Sequence, residues 1–281
     1  MEQAKLNQLK KTAAQIRLDI LEGVHAASSG HPGGSLSIAD IMTYLYFEEM
    51  NVNPADPKWS ERDRLVLSKG HTAPALYAAL AEKGFFSRDE IKNLRKVDSF
   101  LQGHPDMKGT PGVDMSTGSL GLGFSSACGM ALSAKIDNKD YRVYSIIGDG
   151  ESEEGQIWEA CMFAAHYKLD NVCAIFDWNG LQIDGPVAEV MNPTPFDTKL
   201  KAFGFHVICI DGHDFDQIEA AFEKAKATKG KPFGIVMKTT KGKDVSFMEN
   251  NAGWHGKAPN DEEYAQAMSE LQAKLAEVEG M

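Results

Sequence analysis

Cysteine is scarce and unpatterned in this sequence. The four residues, Cys128, Cys161, Cys173 and Cys209, form no Cys-x-x-Cys pair, and the last three lie in apolar stretches. That gives no disulfide or redox signature; four reduced, mostly buried thiols are expected, which favours a reducing cytoplasm. No apolar run approaches the roughly 18 residues of a membrane span. The first residues, Met1 to Lys11, lack the apolar core of a signal peptide, so a soluble and unprocessed chain is expected. Positive charge is in deficit, with 29 basic against 40 acidic residues and a net charge of −11. The chain therefore has no bulk electrostatic reason to seek nucleic acid or an anionic membrane, and an anionic ligand needs a local site. Repeats and low-complexity linkers are missing too. With 281 residues, 43% hydrophobic and 25% charged, disorder and fibres are excluded and a core without staples is affordable.

Leu6, Leu9, Ala13, Ile16 and Ile20 fall at spacings of three and four, one apolar face of a helix that ends near Ser28-Ser29-Gly30. A second helical pattern runs from about Ser37 to Met50, and Arg64 to Ser68 reads as a short strand. Residues 99 to 119 carry four glycines and little apolar periodicity, hence a long loop of the kind that often serves function. Beyond it the alternation is regular: strand 142–147, helix 156–168, strand 172–177, helix 196–203, strand 205–210, helix 214–228, strand 233–238. Such an order predicts an α/β fold, a central parallel sheet flanked by helices on both faces. A closing amphipathic helix is expected over Asp261 to Val278, and residues 1–281 are read as a single domain.

Ligands of open α/β sheets sit beyond the carboxyl ends of the strands. There strand 142–147 runs into Gly148-Asp149-Gly150, and strand 172–177 into Asp177-Trp178-Asn179-Gly180. A carboxylate between two glycines can hold a divalent cation while its small neighbours let amides approach phosphate oxygens. Alone, Gly-Asp-Gly reads as a surface turn. Followed by Asn179 after one helix and one strand, it resembles the metal and diphosphate signature of thiamine-diphosphate enzymes. Four histidines in small-residue loops extend the likeness: Ser29-Gly30-His31-Pro32-Gly33-Gly34, Ser68-Lys69-Gly70-His71, Gln102-Gly103-His104-Pro105 and Gly253-Trp254-His255-Gly256. Together they resemble the transketolase family over essentially the whole chain. A zinc hydrolase lacks support, with no His-Glu-x-x-His, and Gly121-Leu122-Gly123 misses the third glycine of a dinucleotide loop.

The resemblance implies a thiamine-diphosphate-binding fold and a residue-by-residue expectation. Asp149, Asn179 and Leu181, the last through its carbonyl, match ligands of Mg²⁺ or Ca²⁺. Gly150, His71 and His255 match positions near the diphosphate, Gly118 and Leu120 positions near the cofactor rings, and Asn179 reaches both cofactor and metal. His31, His104 and His255 match histidines that surround substrate hydroxyls and move protons. Thr117-Gly118-Ser119-Leu120-Gly121-Leu122-Gly123 departs from the family pattern Thr-Gly-Pro-Leu-Gly-Gln-Gly at Ser119 and Leu122. Glu154 and Glu159 match acids of a carboxylate network between paired active sites, although acids also favour a helix's first turn. Trp158, Met162 and Phe163 are left as core or interface packing.

The implied reaction is ketol transfer between sugar phosphates. The family's pyrimidine-binding and third domains have no room after Pro259, so the expected entity is the N-terminal subunit of a split transketolase. It would be completed by a C-terminal subunit, most simply as α₂β₂. The rivals are one chain of a 2-oxo-acid dehydrogenase, a deoxyxylulose-phosphate synthase and a non-catalytic cofactor-binding scaffold. The four histidine loops stand against the first, the Ser29 to Gly34 pattern against the second, and the intact site set against the third.

Overall fold

The computed structural model describes residues 1–280. In chain order the helices and strands are α1 (Gln3–Ala26), α2 (Pro32–Ser37), α3 (Ala39–Tyr44), β1 (Arg64–Leu67), α4 (Ala73–Lys83), α5 (Leu122–Ile136), β2 (Val143–Gly148), α6 (Gly155–His166), β3 (Val172–Trp178), β4 (Leu181–Gln182), β5 (Gly185–Pro186), α7 (Val187–Val190), α8 (Phe196–Ala202), β6 (His206–Asp211), α9 (Phe215–Ala227), β7 (Phe233–Lys238) and α10 (Asp261–Glu279). Five strands pair in parallel in the order β1-β2-β3-β7-β6, and β4 and β5 form a small antiparallel pair.

From β1 to β3 the chain advances along the sheet; it then skips to the edge at β6 and returns to β7. Right-handed crossovers place connections of opposite direction on opposite faces. Accordingly α5, α6 and α8 bury Phe124, Ile157 and Phe196 on one face. Helix α9 buries Phe215, Ile218 and Phe222 on the other, with α1, α3, α4 and α10. Phe222 stacks on Tyr44 at 5.4 Å and meets Tyr144 edge-on at 5.8 Å. Truncating such a residue to Ala costs about 3–5 kcal/mol. The winding reverses between β3 and β7, so the carboxyl ends of β1, β2, β3 and β7 open onto the crevice where ligands of such sheets bind.

Strands β1, β2, β3, β6 and β7 and the α6, α8, α9 and α10 helices follow the sequence expectation within two residues, and residues 101–121 form the expected long loop. The Ser37–Met50 helix is a correction. It starts at Pro32, breaks at Ile38, and its last turn, Leu45–Glu49, widens to a π-turn. Helices α4 and α5 and the β4–β5 hairpin have no counterpart in the sequence expectation. Cys128, Cys161 and Cys173 are buried, but Cys209 is exposed, because β6 is an edge strand whose outer residues lack cover.

Candidate functional site

The site is built on carboxylates that tie strand ends together. In the sheet Gly148 stands opposite Asp177, and Asp177 opposite Met237. Asp177, fully buried, accepts hydrogen bonds from Lys69 Nζ at 2.6 Å, Ser37 Oγ at 2.7 Å and Asn179 Nδ2 at 3.1 Å, and from the Thr239 hydroxyl. One side chain thus joins the ends of β1, β3 and β7 to α2. Burial opposes its ionisation, but Lys69 and the hydroxyl donors outweigh that and hold its carboxyl below the ordinary range. Glu151 plays the same part on the other side, accepting from Ser68 Oγ at 2.5 Å, Gly148 N at 2.8 Å and Gly121 N at 2.9 Å. Ser68 Oγ in turn accepts from Phe124 N at 3.1 Å, capping α5 from another element.

Asp149 and Asn179 are both buried at neighbouring strand tips, as their spacing implied. Asp149 accepts from Gly150 N at 2.9 Å and Gly180 N at 2.6 Å. Asn179 gives its amide N–H to Asp177, which turns its oxygen the other way, toward Leu181 N at 3.1 Å. Lys241 Nζ donates to the Leu181 carbonyl at 3.0 Å and lies 3.0 Å from His255 Nδ1. Burial, and then the Asp177 charge, push the Asp149 carboxyl up, while burial pulls the Lys241 ammonium down against the attraction of Asp149. The Lys241 ammonium sits on the Leu181 carbonyl within the field of the Asp149 and Asp177 carboxylates, and the Asp149, Asn179 and Leu181 oxygens are the kind that hard divalent cations take. Among the described residues no group of three or more His, Cys, Asp or Glu could hold a metal. A metal here would rest on one carboxylate plus neutral oxygens.

Three of the four histidines converge. The rings of His31, His71 and His255 lie 5.1 Å (His31–His71), 5.5 Å (His31–His255) and 5.1 Å (His71–His255) apart. Burial first, then the charges of Arg95, His104 and Lys241, hold His31 down to about 4. Burial and Lys241 hold His255 down to about 3, and burial and Lys69 depress His71 as well. All three rings are therefore neutral near pH 7, each with one ring nitrogen lacking a proton and able to accept a hydrogen bond. His31 Nδ1 is buried with no partner.

These groups line one cavity of about 400 Å³. The residues expected at cofactor (His71, Gly118, Leu120, Gly150, Glu154, Asn179, His255) and at metal (Asp149, Leu181) all face it, with His31. A Cβ on Gly34, which also faces it, would sit 2.9 Å from Thr72 Cγ2, 3.7 Å from Lys69 Nζ and 4.0 Å from His71 Nε2, so a bare backbone keeps this wall open. His104 stands apart: it is exposed and packs against Gly118, whose Cβ would lie 3.2 Å from its ring. Glu159 lies elsewhere, in a groove between α5 and α6 with Cys128, Gly129 and Phe163. Sequence reasoning missed Lys69, Asp177, Glu151 and Lys241, all buried at the site. The signal for Lys69 and Asp177 was available in their adjacency to His71 and Asn179; Lys241 had none.

The family model "Transketolase, thiamine diphosphate binding domain" matches residues 8–277. The chain is 48% identical over 268 residues to the 6-deoxy-6-sulfo-D-fructose transketolase subunit of a Clostridium species, covering 95% of this chain and 98% of that one. It is 43% identical over 263 residues to an apulose-4-phosphate transketolase subunit of Phocaeicola vulgatus, covering 94% and 93%. The solved transketolase of Campylobacter jejuni superposes with a TM-score of 0.88 at 34% identity over 96% of this chain, which spans 45% of that longer one. A cavity at the carboxyl ends of the sheet and these matches agree: the chain belongs to the transketolase family, in its thiamine-diphosphate-binding domain.

Proposed function

We propose that this chain is the N-terminal subunit of a split transketolase, one diphosphate-binding domain that transfers a two-carbon ketol unit together with a separate C-terminal subunit. The observation that carries the proposal is the convergence of His31, His71 and His255 with the Asp149, Asn179 and Leu181 oxygens on one cavity. Subunit length supports the split form, since the chain spans nearly all of two relatives named as transketolase subunits.

Thiamine diphosphate, when bound, supplies the electron sink for carbon–carbon cleavage. Asp149, Asn179 and the Leu181 carbonyl would hold Mg²⁺ or Ca²⁺. The Gly150 amide, His71 and His255 would face the diphosphate, and Gly118 and Leu120 the rings. Lys241 adds a cation to the same wall. His31 and His255 would accept hydrogen bonds from donor hydroxyls and, with the diphosphate's negative charge beside them raising their basicity, move protons at their ring nitrogens; His104 would do so from its place against Gly118. Glu154 faces the cavity and would join a carboxylate network with a partner. The substrates are ketose and aldose phosphates or sugars with a comparable terminal anion, since the two relatives are named for a sulfosugar and a phosphosugar. Met162 and Leu122, about half exposed on α6 and α5, give an apolar face for self-association in an α₂β₂ assembly. Four free thiols suit a reducing cytoplasm.

Calorimetric titration of thiamine diphosphate with Mg²⁺ into the chain, alone and mixed with the C-terminal subunit, tests this. Tight binding in the mixture, abolished by Asp149→Ala, is expected. Full ketol transfer by the isolated chain would overturn the split arrangement, binding without ketol transfer by the mixture would leave a non-catalytic cofactor-binding scaffold, and absence of binding in both samples would refute the cofactor reading.

A further inference from the structure

The buried groups that this reading leaves unused include a chain of polar contacts on the far side of β7. Arg17 and Asp40, both nearly inaccessible, form a two-pronged pair, NH1 to Oδ1 at 3.1 Å and NH2 to Oδ2 at 2.6 Å. Arg17 Nε also lies 3.3 Å from Asp244. His213, in the turn after β6, places Nδ1 2.7 Å from Asp40 Oδ2, and Thr240 N donates to its Nε2 at 2.9 Å. A backbone N–H only donates, so Nε2 presents a lone pair. The ring proton therefore sits on Nδ1 and is given to Asp40. Both nitrogens of a neutral imidazole are thus committed, and the ring is held between a fixed carboxylate and a main-chain amide.

Thr240 lies where the sheet runs out. Gly212 N to Lys238 O at 2.8 Å is the last rung between the β6 and β7 ends, and the amides beyond need other partners. Thr239 N finds Trp178 O at 3.2 Å, Gly242 N finds Gly33 O at 2.9 Å, and between them Thr240 N finds the imidazole. On either side of Thr240 stand two residues of the site: Thr239, whose hydroxyl holds Asp177, and Lys241, which reaches the Leu181 carbonyl and His255. A shift of this one amide moves both.

We propose that His213 is a positioning residue of the cofactor site, acting as a side-chain rung that sets the main chain at Thr240 and through it the side chains of Thr239 and Lys241. The inference rests on the cofactor reading above. Its contact with Asp40 orients the ring; its contact with Thr240 does the positioning.

Two substitutions separate these contacts. In His213→Asn the side-chain amide nitrogen falls near the place of Nδ1, keeping the donor to Asp40 and losing the acceptor for Thr240. In His213→Gln the terminal amide reaches the place of Nε2, keeping an acceptor for Thr240 and losing the donor to Asp40. Affinity for thiamine diphosphate with Mg²⁺ is measured by calorimetry on the assembled subunits, beside melting temperature and hydrogen exchange of the peptide spanning residues 239–242. The Asn variant is expected to bind about tenfold more weakly, within the range of second-layer partners of metal sites, and to exchange faster in that peptide. The Gln variant is expected to stay within about twofold of the unsubstituted protein. Equal weakening in both variants, tracking their melting temperatures, would make His213 merely structural and overturn the proposal. Unchanged affinity in both would overturn it as well. Absence of binding by the unsubstituted assembly would instead refute the cofactor reading, and this inference with it.

Discussion

Asp177→Asn removes one charge from the centre of the strand-end cluster and almost nothing else. Three donors, from Lys69, Ser37 and Asn179, meet at Oδ2, and the Thr239 hydroxyl meets Oδ1. An asparagine whose amide oxygen takes the Oδ2 place keeps those three, and the Thr239 hydroxyl can turn to accept from the new amide. Hydrogen-bond count is conserved, while the Lys69 ammonium, 3% exposed, loses its counter-charge. Removing one partner of a buried ion pair costs about 3–5 kcal/mol, because the other charge stays desolvated and uncompensated. Lys69→Met should cost a similar amount by stranding the carboxylate. The double variant strands neither, so its destabilisation should fall short of the sum by at least about 2 kcal/mol. Urea unfolding followed by far-ultraviolet circular dichroism on the four proteins gives the cycle. A loss below about 1 kcal/mol for Asp177→Asn, or additive losses in the double variant, would refute the view that this pair is a buried, mutually dependent unit.

His31 is held at about 4, whereas an unfolded histidine titrates near 6.5. The unfolded chain thus binds more protons as pH falls through that window, so this group lowers stability between roughly pH 6.5 and 4 and has no effect above it. A nuclear magnetic resonance titration should show its ring unprotonated down to about pH 5.5, and a midpoint near 6.5 would contradict the burial argument. Gly34→Ala brings a Cβ to 2.9 Å from Thr72 Cγ2. Overpacking of about 1–3 kcal/mol should weaken thiamine diphosphate binding by about tenfold or more in calorimetry, while Gly129→Ala, whose Cβ would meet nothing within 4 Å, should leave binding unchanged. Met162→Asp places a charge on the exposed α6 face. Sedimentation velocity should then show smaller assemblies, and an unaltered distribution would mean that copies meet on another surface.

The strands were legible because β-branched runs such as Val143 to Ile147 and Val172 to Phe176 are bounded by polar or glycine-rich breaks. Helices α4 and α5 were not. Ala73 to Ala81 is buried on every side, and α5 is rich in alanine, serine and glycine, so neither has the polar face that makes periodicity visible. At the site, Asp149, Asn179 and the histidine loops stood out through their motifs, but the contact among His31, His71 and His255 joins segments far apart in the chain. Which lysines are buried is a property of the packing. Lys241 reads like any of the surface lysines until the fold places Leu181 beside it, and Lys69, next to a histidine loop, shows its burial only once Asp177 is opposite it.

The loop from Thr117 to Gly123 is fastened by one side chain, the Thr117 hydroxyl on the Leu67 carbonyl, and otherwise by its main chain. Gly121 N goes to Glu151, Phe124 N goes to Ser68, and the Ser68 hydroxyl goes to Glu151, so past Thr117 the anchor reads amides rather than side chains. Residues 119 and 122 are then free to drift without dragging the loop from its place. Ser119 and Leu122, which break the family pattern, need no compensating change nearby: Leu122, half exposed, can serve whatever surface it meets while Gly118 and Leu120 keep their station on the cavity wall.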